Sequence, residues 1–344
     1  MRSFLCVLSI GLFSACSTIN YVGIETYNPA EVTFPENVAK ILVVNNAVPQ
    51  PADSGYELNL FGVPQDTCQV KADSALYDAC RMLGESMVGA SYFNDVLLYN
   101  HAMRNDTFFE RDTKLTPQQV SDLCEETGAD AVVSVDRLLF DMKKNVVAFM
   151  EGYVVGSIDV QISGVMRSYV PGRDAPLATV HVRDSVFWAE NADNAILLNL
   201  LLPKADDALR TAGKYIASKT YVNFVPHWDR ESRWYFTGFG STWKEASAYA
   251  GGEKWNLAEE RWRHLYETSG NWKSQAKAAS NLALCHEMKG ELKEAYEWAH
   301  KSYDLFKKQG GDNSKNTKLL ELYVTALADR IRSDKKLNVQ IGMD

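Results

Sequence analysis

Short, mostly apolar runs occur three times in the first half of the chain, at residues 41–44, 95–99 and 131–135. Such runs are typical of strands that are covered on both faces of a sheet. Between the first two runs, apolar residues recur every three or four positions, which predicts a helix from about residue 74 to residue 90, capped by Asp73 or Ser74. Its inner face would consist of Leu76, Cys80, Leu83 and Met87.

The clearest local signal predicts a second helix between Thr116 and Gly128. Thr116 can accept a hydrogen bond from the first turn, Pro117 suits the first helical position, and Gln119 completes a capping box. Gly128 tolerates the left-handed conformation that commonly ends a helix. The apolar run at residues 131–135 follows at once, so this helix leads directly into a buried strand.

Residues 158–167 and 180–188 alternate between apolar and polar side chains, which predicts an antiparallel hairpin with one face in solvent. The polar side chains of the first strand are Asp159, Gln161, Ser163 and Arg167. His181 and Arg183 project from the solvated face of the second strand. Opposite Asp159 and Gln161 they would form a cross-strand polar cluster, and the alternative is a polar face that binds a partner.

A helical stretch over residues 194–221, interrupted at Pro203, closes this region. Strand patterns stop at Pro226, and seven of the eight tryptophans follow it. We therefore predict an α+β or α/β fold, a mixed sheet with flanking helices, followed by an all-α array of helical hairpins. The first domain, with the sheet, would span residues 38–225, and the second, all-α domain would span residues 226–334. Residues 335–344 would form a tail.

Small residues recur through residues 276–302 in a pattern that resembles a tetratricopeptide repeat, with Gly290 in the turn between two antiparallel helices. A weaker copy precedes it at residues 252–265, and a third helix at 316–333 would close the array. The resemblance implies that the first helix of the clear repeat exposes a protein-binding face. Its candidate partner-binding residues are Lys277, Ser280, Asn281, Leu284 and Glu287, which match no complete carboxylate-binding clamp.

Two other features of the second domain favour core packing over ligand binding. His286 occupies a repeat position that faces the partner helix, so a packed histidine is favoured over a metal ligand. Helical spacing also favours a core face for four apolar residues, although some tryptophans could instead anchor a partner. These four residues are Trp255, Ala258, Trp262 and Leu265.

The first sixteen residues have the pattern of a bacterial lipoprotein signal. Arg2 precedes a short apolar run that ends in Ser14-Ala15-Cys16. We expect residues 1–15 to be removed, Cys16 to be lipidated, and residues 16–37 to form a tether. The alternatives are a secretory signal cut after Ala15 or a buried N-terminal helix. No aspartate follows Cys16, which by resemblance to bacterial lipoproteins implies the outer membrane, facing the periplasm.

Charge and cysteine content exclude several functions. The formal net charge is −8, and removal of Arg2 with the signal would make it −9, so a nucleic-acid surface is not expected. Four cysteines remain after Cys6 and Cys16, and they are expected to be buried thiols, with a Cys68–Cys80 disulfide as the alternative. No metal-ligand spacing, nucleotide-binding motif or catalytic constellation is present in the sequence, so no metal, cofactor or catalytic residue is predicted.

The order of elements over residues 38–225 resembles the periplasmic domain of curli-secretion and related envelope lipoproteins. The chain is also similar to a domain-of-unknown-function family of outer-membrane lipoproteins. This second resemblance rests on the combination of the α/β region with residues 226–228, the Arg233-Trp234-Tyr235 segment and the repeats. That resemblance implies architecture and location, not activity. A curli-type pore would need a membrane-spanning hairpin, and no suitable pair of amphipathic strands is present in the sequence.

Three hypotheses about function follow from these patterns. The leading one is a membrane-anchored, non-enzymatic lipoprotein that binds or scaffolds other envelope proteins. The first alternative is a subunit of a secretion or assembly ring. The second alternative is a cell-wall hydrolase, which would require a pocket with paired carboxylates.

Overall fold

The structure is a computed structural model that describes residues 19–65 and 69–343. Cys16 and Cys68 therefore lie outside the described residues, as do the predicted signal and the proposed Cys68–Cys80 disulfide. The described strands are β1 (Ile19–Asn28), β2 (Lys40–Asn45), β3 (Tyr56–Leu60), β4 (Val63–Gln65), β5 (Asp95–Ala102), β6 (Ala131–Ala148), β7 (Val154–Tyr169), β8 (Ala178–Ala192) and β9 (His227–Phe236). The described α-helices are α1 (Asp73–Gly89), α2 (Pro117–Thr127), α3 (Ala195–Leu201), α4 (Ala205–Thr220), α5 (Ser241–Gly251), α6 (Trp255–Thr268), α7 (Trp272–Met288), α8 (Leu292–Gly310) and α9 (Lys315–Ile341).

The described chain divides into two compact units. Residues 29–227 together with 337–343 form what we name the α/β unit, and residues 19–28 together with 228–336 form the helical unit. The predicted fold class is confirmed, since a mixed sheet with helices is followed by an array of five helices. Each unit is built from two separate stretches of sequence.

The α/β unit contains a seven-stranded mixed sheet. Its order is β4-β3-β6-β2-β5, with β7 on β6 and β8 on β7. Strand β2 is parallel to both β5 and β6, whereas β6, β7 and β8 are antiparallel to one another. The predicted hairpin of residues 158–188 is thus confirmed. Its register differs from the prediction, because Arg183 lies opposite Ser163 and His181 lies opposite Val165.

Helices cover both faces of the sheet near β2. Helices α1 and α4 share a core with the inner face, to which all four predicted apolar residues of α1 contribute. Helix α2 covers the other face with Val120, Leu123 and Cys124. Its capping box, its first-turn proline and its left-handed Gly128 are all as predicted. The predicted cap of α1 is wrong, since Ala72 holds that position without a side-chain hydrogen bond.

Four elements of the fold were not expected from the pattern. Strands β3 and β4 lie in a region expected to be loop. Strand β6 extends to Ala148, because β7 pairs with it as far as that residue and β3 pairs with residues 142–146. Strand β1 lies in the expected tether, and β9 lies where strand patterns were expected to stop. The helical stretch after β8 is interrupted at Pro203, as predicted, because α3 ends at Leu201 and α4 begins at Ala205.

The helical unit combines helices α5–α9 with a two-stranded sheet of β1 and β9. Asn20 bonds to Tyr235 while Tyr27 contacts Trp228, so the two strands run antiparallel. The predicted core face on α6 is confirmed, since Trp262 and Ala258 are fully buried. Gly290, with φ of +79°, makes the predicted turn between α7 and α8. Helix α9 continues to Ile341, through most of the expected tail, and the tetratricopeptide resemblance stays a prediction.

Candidate functional site

A buried ion pair lies at a bulge in the sheet of the α/β unit. The register of β6 against β7 shifts between Val135 and Arg137, which leaves Asp136 unpaired in the ladder. Asp136 is fully buried, and its Oδ2 accepts from Nη1 of Arg167 at 2.5 Å. Arg167 was expected on a solvated face, which is wrong. The loop before α2 covers this part of the sheet, so Arg167 is only 4 % exposed.

The ion pair holds that loop against the sheet. Arg167 donates to the backbone oxygen of Asp112 at 3.0 Å and to its carboxylate at 2.6 Å. Asn46 joins the carboxylate of Asp136 to the backbone oxygen of Thr113. Burial raises the pKa of Asp112 and the guanidinium lowers it, and the guanidinium prevails, so the pKa of Asp112 lies below its usual value. Charge-assisted hydrogen bonds from the sheet therefore hold the loop in place.

The same loop forms one wall of a cavity of about 470 Å³ on this sheet face. Its polar lining includes Gln50, Glu110, Asp141, Gln161 and Arg183. Gln50 is partly committed to the backbone of Phe140, to which it donates at 3.1 Å and from which it accepts at 2.6 Å. The cavity brings together three of the residues that the hairpin pattern placed on its polar face, Gln161, Ser163 and Arg183. His181 is exposed but does not line the cavity.

The opposite end of the hairpin exposes a group of large apolar side chains. We name it the apolar end patch, and it consists of Phe149, Met150, Ile196, Leu197, Leu200 and Leu201. The most exposed are Met150 at 103 %, Ile196 at 79 % and Leu200 at 77 %. Strand β7 begins at Val154, opposite Ala148 of β6 and Ala192 of β8. The turn between β6 and β7, residues 149–153, which we name the hairpin tip, therefore lies at the same end of the sheet as α3.

Local sequence explains why the apolar end patch is exposed. Helix α3 has seven residues, and only Leu198 is buried within it. Leu198 packs over Gly156 of β7, where a Cβ would lie 2.8 Å from its Cδ2 atom. Because this short helix of about two turns buries only one apolar face, its other leucines and its isoleucine face solvent. At the hairpin tip, the rings of Phe149 and Tyr153 stack 5.0 Å apart.

Charged side chains flank this patch. Glu151 lies in the hairpin tip, and Glu190 and Asp193 lie just before α3. Lys204 lies just beyond α3, and the Nζ atom of Lys144 donates to Asn199 at 3.1 Å. The three carboxylates are exposed, so the rim of the patch is mostly acidic.

In the helical unit, the predicted partner-binding residues of α7 are mostly inaccessible. Ser280, Asn281 and Leu284 are fully buried, and Glu287 is 2 % exposed, so the exposure expected for these four residues is wrong. Lys277 alone is partly exposed. The reason is that α7 packs against α6, α8, α9 and β9, which together cover residues 278–287 on all sides.

The buried polar side chains of α7 fasten its neighbours. Asn281 accepts from the backbone N–H of Phe236 and donates to its carbonyl, both at 2.7 Å. Glu287 accepts from Nε of Arg233 at 3.0 Å, from the Tyr323 hydroxyl at 2.7 Å and from Arg330 at 2.5 Å. These contacts hold β9 and α9 on α7, which is a structural role.

The predicted core histidine and buried thiols are confirmed where they are described. His286 is 8 % exposed, and its Nδ1 lies 2.5 Å from a carboxylate oxygen of Glu291. Cys80, Cys124 and Cys285 are buried free thiols. Burial raises the pKa of Cys80 to about 12 and, with Asp130, that of Cys124 to about 11. Such thiols are unreactive.

The described residues contain neither a cluster of metal-ligating side chains nor a helix that could cross a membrane. No group of three or more His, Cys, Asp or Glu side chains in residues 19–65 and 69–343 could hold a metal ion. Over the same ranges, no helix is both long enough and apolar enough to cross a membrane.

The protein is thus a two-unit α+β protein whose surface features are a polar cavity and an apolar end patch. Residues 38–236, more than half of the chain, match the family described as "Domain of unknown function (DUF8603)", and the chain belongs to that family. Residues 244–329 match a second description, "Domain of unknown function (DUF6340)". The resemblance to a domain-of-unknown-function family is confirmed to this extent. No curated protein is significantly similar to the chain.

Two solved structures show limited similarity. A minor lipoprotein from Acinetobacter baumannii is 10 % identical with a TM-score of 0.23, and the match covers 56 % of this chain and 97 % of that one. Lipoprotein GNA1162 from Neisseria meningitidis is 15 % identical with a TM-score of 0.17, covering 47 % and 92 %. Scores this low do not support an inference about this chain.

Sequence reasoning missed the apolar end patch, although its signal was present. Residues 195–202 are almost entirely apolar. A helix that lies against a sheet needs apolar residues on one face only, so apolar residues all round indicate that some of them are exposed or meet a partner. The bulge at Asp136 had a weaker signal, an acidic residue directly after the apolar run of residues 131–135.

Proposed function

We propose that the protein is a lipid-anchored lipoprotein of the outer membrane, facing the periplasm, that binds another envelope protein through the apolar end patch and is not an enzyme. The observation that supports it is the exposure of six large apolar side chains at one end of the sheet. Monomeric soluble proteins seldom expose such groups together, and apolar patches with polar rims mark interaction sites.

The charges around the patch favour a protein partner over a lipid surface. Amphipathic segments that lie on membranes present Lys and Arg beside their apolar face, because lipid headgroups are commonly anionic. Here three carboxylates (Glu151, Glu190 and Asp193) and two lysines (Lys144 and Lys204) flank the patch, so its rim carries a net negative charge that anionic headgroups would repel. A partner with an apolar centre and a basic rim complements this surface.

The lipid anchor is proposed from the N-terminal sequence, where Cys16 follows Ser14 and Ala15. Confining the protein and its partner to one membrane raises their effective concentration, so a moderate intrinsic affinity is sufficient. A Cys16→Ser variant should leave the membrane fraction. If it stays there as the parent does, another feature attaches the protein and the anchor is wrong.

Photocross-linking in intact cells tests the patch. A photoreactive amino acid placed at Leu200 or at Met150 should give a cross-link to the same protein. The matched control is Tyr77 on α1, which is 48 % exposed and lies outside the patch. The partner is then purified, and Leu200→Glu should weaken its binding at least about tenfold, as expected for a central apolar contact.

The outcomes of this experiment discriminate between the hypotheses. Cross-links to a second copy of the chain would favour the ring subunit instead. Cross-links to lipid alone, or equal cross-linking from Tyr77, would contradict binding of a protein partner by the patch.

The cavity supports a second candidate, a cell-wall hydrolase. Glu110 and Asp141 both line it, and paired carboxylates in a cavity are the arrangement that glycoside hydrolysis requires. Purified protein would be incubated with cell-wall material, and any release of soluble fragments compared with that of Glu110→Gln and Asp141→Asn. No release by the parent, or equal release by both variants, would exclude these carboxylates as catalytic groups.

A further inference from the structure

A second cavity, of about 440 Å³, lies within the helical unit where three helix ends meet. These are the start of α7, the end of α8 and the start of α9. Its lining includes Trp272, Lys273, Lys277, Phe306, Ser314 and Asn316. A cavity of this volume falls in the range of small-molecule sites, roughly 300–1,000 Å³.

The cavity contains positive charge that the protein does not neutralise. Within the described residues, neither Lys273 nor Lys277 forms an ion pair with a carboxylate. The two lysines are one helical turn apart on α7, and Lys277 is partly buried. Burial and the neighbouring charge of Lys273 together lower the pKa of Lys277. An anion placed between the two ammonium groups would relieve both effects.

The walls of the cavity are aromatic. The rings of Trp272 and Phe306 meet edge to face, with centroids 6.1 Å apart. The ring of Phe236 lies 5.6 Å from the Nζ atom of Lys277, so the ammonium rests against an apolar surface. Phe236 lies behind the lysine and does not line the cavity, so a ligand with an aromatic or branched apolar body would bury surface against Trp272 and Phe306.

The helix ends at the cavity add little to the preference for an anion. Helices α7 and α9 both begin at the cavity, and the N-terminus of a helix attracts negative charge. Side chains already cap both starts, since Oδ1 of Asn271 accepts from the backbone N–H of Lys273 at 2.9 Å and the Ser314 hydroxyl accepts from that of Thr317 at 3.1 Å. The two lysines therefore supply most of the attraction for an anion. The end of α8 opposes this effect only in part, because the carbonyl of Lys307 is already bonded to Gly311.

From this arrangement we propose that the cavity binds a small organic anion, with Lys273 and Lys277 holding its charged group and Trp272 and Phe306 holding its apolar body. The charged group is a carboxylate or a phosphate. The site belongs to the helical unit and is independent of the function proposed above.

Calorimetric titration of the full-length protein in detergent tests the site with four probes. N-acetyl-phenylalanine and phenyl phosphate carry both features, whereas N-acetyl-phenylalaninamide lacks the charge and inorganic phosphate lacks the ring. At least one of the first two should bind with a Kd at or below about 1 mM, and the other two should bind at least about tenfold more weakly. Whichever of the two anions binds more tightly identifies the charged group.

Two variants and a control locate the binding. Lys277→Met and Lys273→Met keep much of the side-chain volume and should each weaken binding by about tenfold. The control is Lys293→Met, an exposed lysine of α8 outside the cavity. Thermal unfolding followed by circular dichroism confirms that the variants are folded. Failure of both organic anions to bind below about 10 mM overturns the proposal, as does unchanged affinity in both cavity variants or equal binding of the neutral amide.

Discussion

Glu287 is a carboxylate that is 2 % exposed and depends on its neighbours to stabilise its charge. Two guanidinium groups and the hydroxyl of Tyr323 replace the water that it would have in the unfolded chain. Removing the charge leaves Arg233 buried without its main counter-ion, which typically costs about 3 kcal/mol or more.

Glu287→Gln should therefore lower the free energy of unfolding by about 3 kcal/mol, measured by urea denaturation. The control is Glu294→Gln, an exposed glutamate of α8, with an expected effect below about 0.5 kcal/mol. Equal effects in the two variants would show that the buried cluster contributes little.

Asp78 gives the α/β unit a specific pH dependence. It lies on α1, and its Oδ2 accepts from Nε of Arg210 on α4 at 2.7 Å, with Lys214 at 3.5 Å. Burial raises the pKa of Asp78, but the two cations lower it by more than burial raises it. The pKa of Asp78 therefore lies below its usual value. In the unfolded chain an aspartate has a pKa of about 3.9. The ion pair of Asp78 therefore contributes its full stability above roughly pH 5, and this contribution is lost as the pH falls through the lower pKa of Asp78 in the folded protein.

Asp78→Asn should cost about 2 kcal/mol at pH 7 and progressively less below pH 4. Urea midpoints at pH 7, 5 and 3 measure this change. Asp174→Asn, in the exposed turn between β7 and β8, should show no such trend. A cost that stays constant from pH 7 to pH 3 would contradict the ion-pair explanation.

At the scale of elements, the sequence predicted those whose burial depends on their own pattern. The faces of α1, α2 and α6 follow from helical spacing, and the hairpin of β7 and β8 follows from alternation. Strands β1 and β9 could not be found in this way, because each is stabilised by a partner about 200 residues distant in sequence. The polar residues of α7 suggested a free surface, whereas in the structure they bind β9 and α9.

Helix α3 illustrates how one element can serve both packing and binding. Leu198 is 1 % exposed and fills the space over Gly156, whereas Leu200 is 77 % exposed. Leu198→Ala should lower the free energy of unfolding by about 3 kcal/mol, since it opens a cavity in the core. Leu200→Ala should change it by less than about 0.5 kcal/mol. Chemical denaturation compares the two, and a large cost at Leu200 would assign that residue to the fold rather than to a partner.

At the scale of the whole molecule, both units are closed by segments that lie far apart in sequence. Residues 19–28 belong to the helical unit, and residues 337–343 belong to the α/β unit. A reading of the sequence from one end to the other assigns such segments to a tether and a tail, because neither has enough apolar residues to form a core alone. The hydrogen-bond partners of these two segments show to which unit each belongs.

Gln340 shows how the C-terminal segment closes the α/β unit. Its Oε1 accepts from the backbone N–H of Ala30 at 2.8 Å, and its Nε2 donates to the carbonyl of Ala30 at 3.0 Å. The same Nε2 lies 2.9 Å from the hydroxyl of Thr33. The amide thus pairs the backbone as a neighbouring strand would, just before Val32 and Phe34 enter the core.

Gln340→Ala leaves these buried backbone groups unpaired, and each such group costs about 1–3 kcal/mol. Hydrogen exchange should therefore accelerate at residues 30–34, while the amides of α7 in the helical unit keep their protection. Val339→Ala is the matched control, because Val339 is the preceding residue and is 48 % exposed. Unchanged exchange at residues 30–34 would mean that the core contacts of Val32 and Phe34 hold this segment without the amide of Gln340.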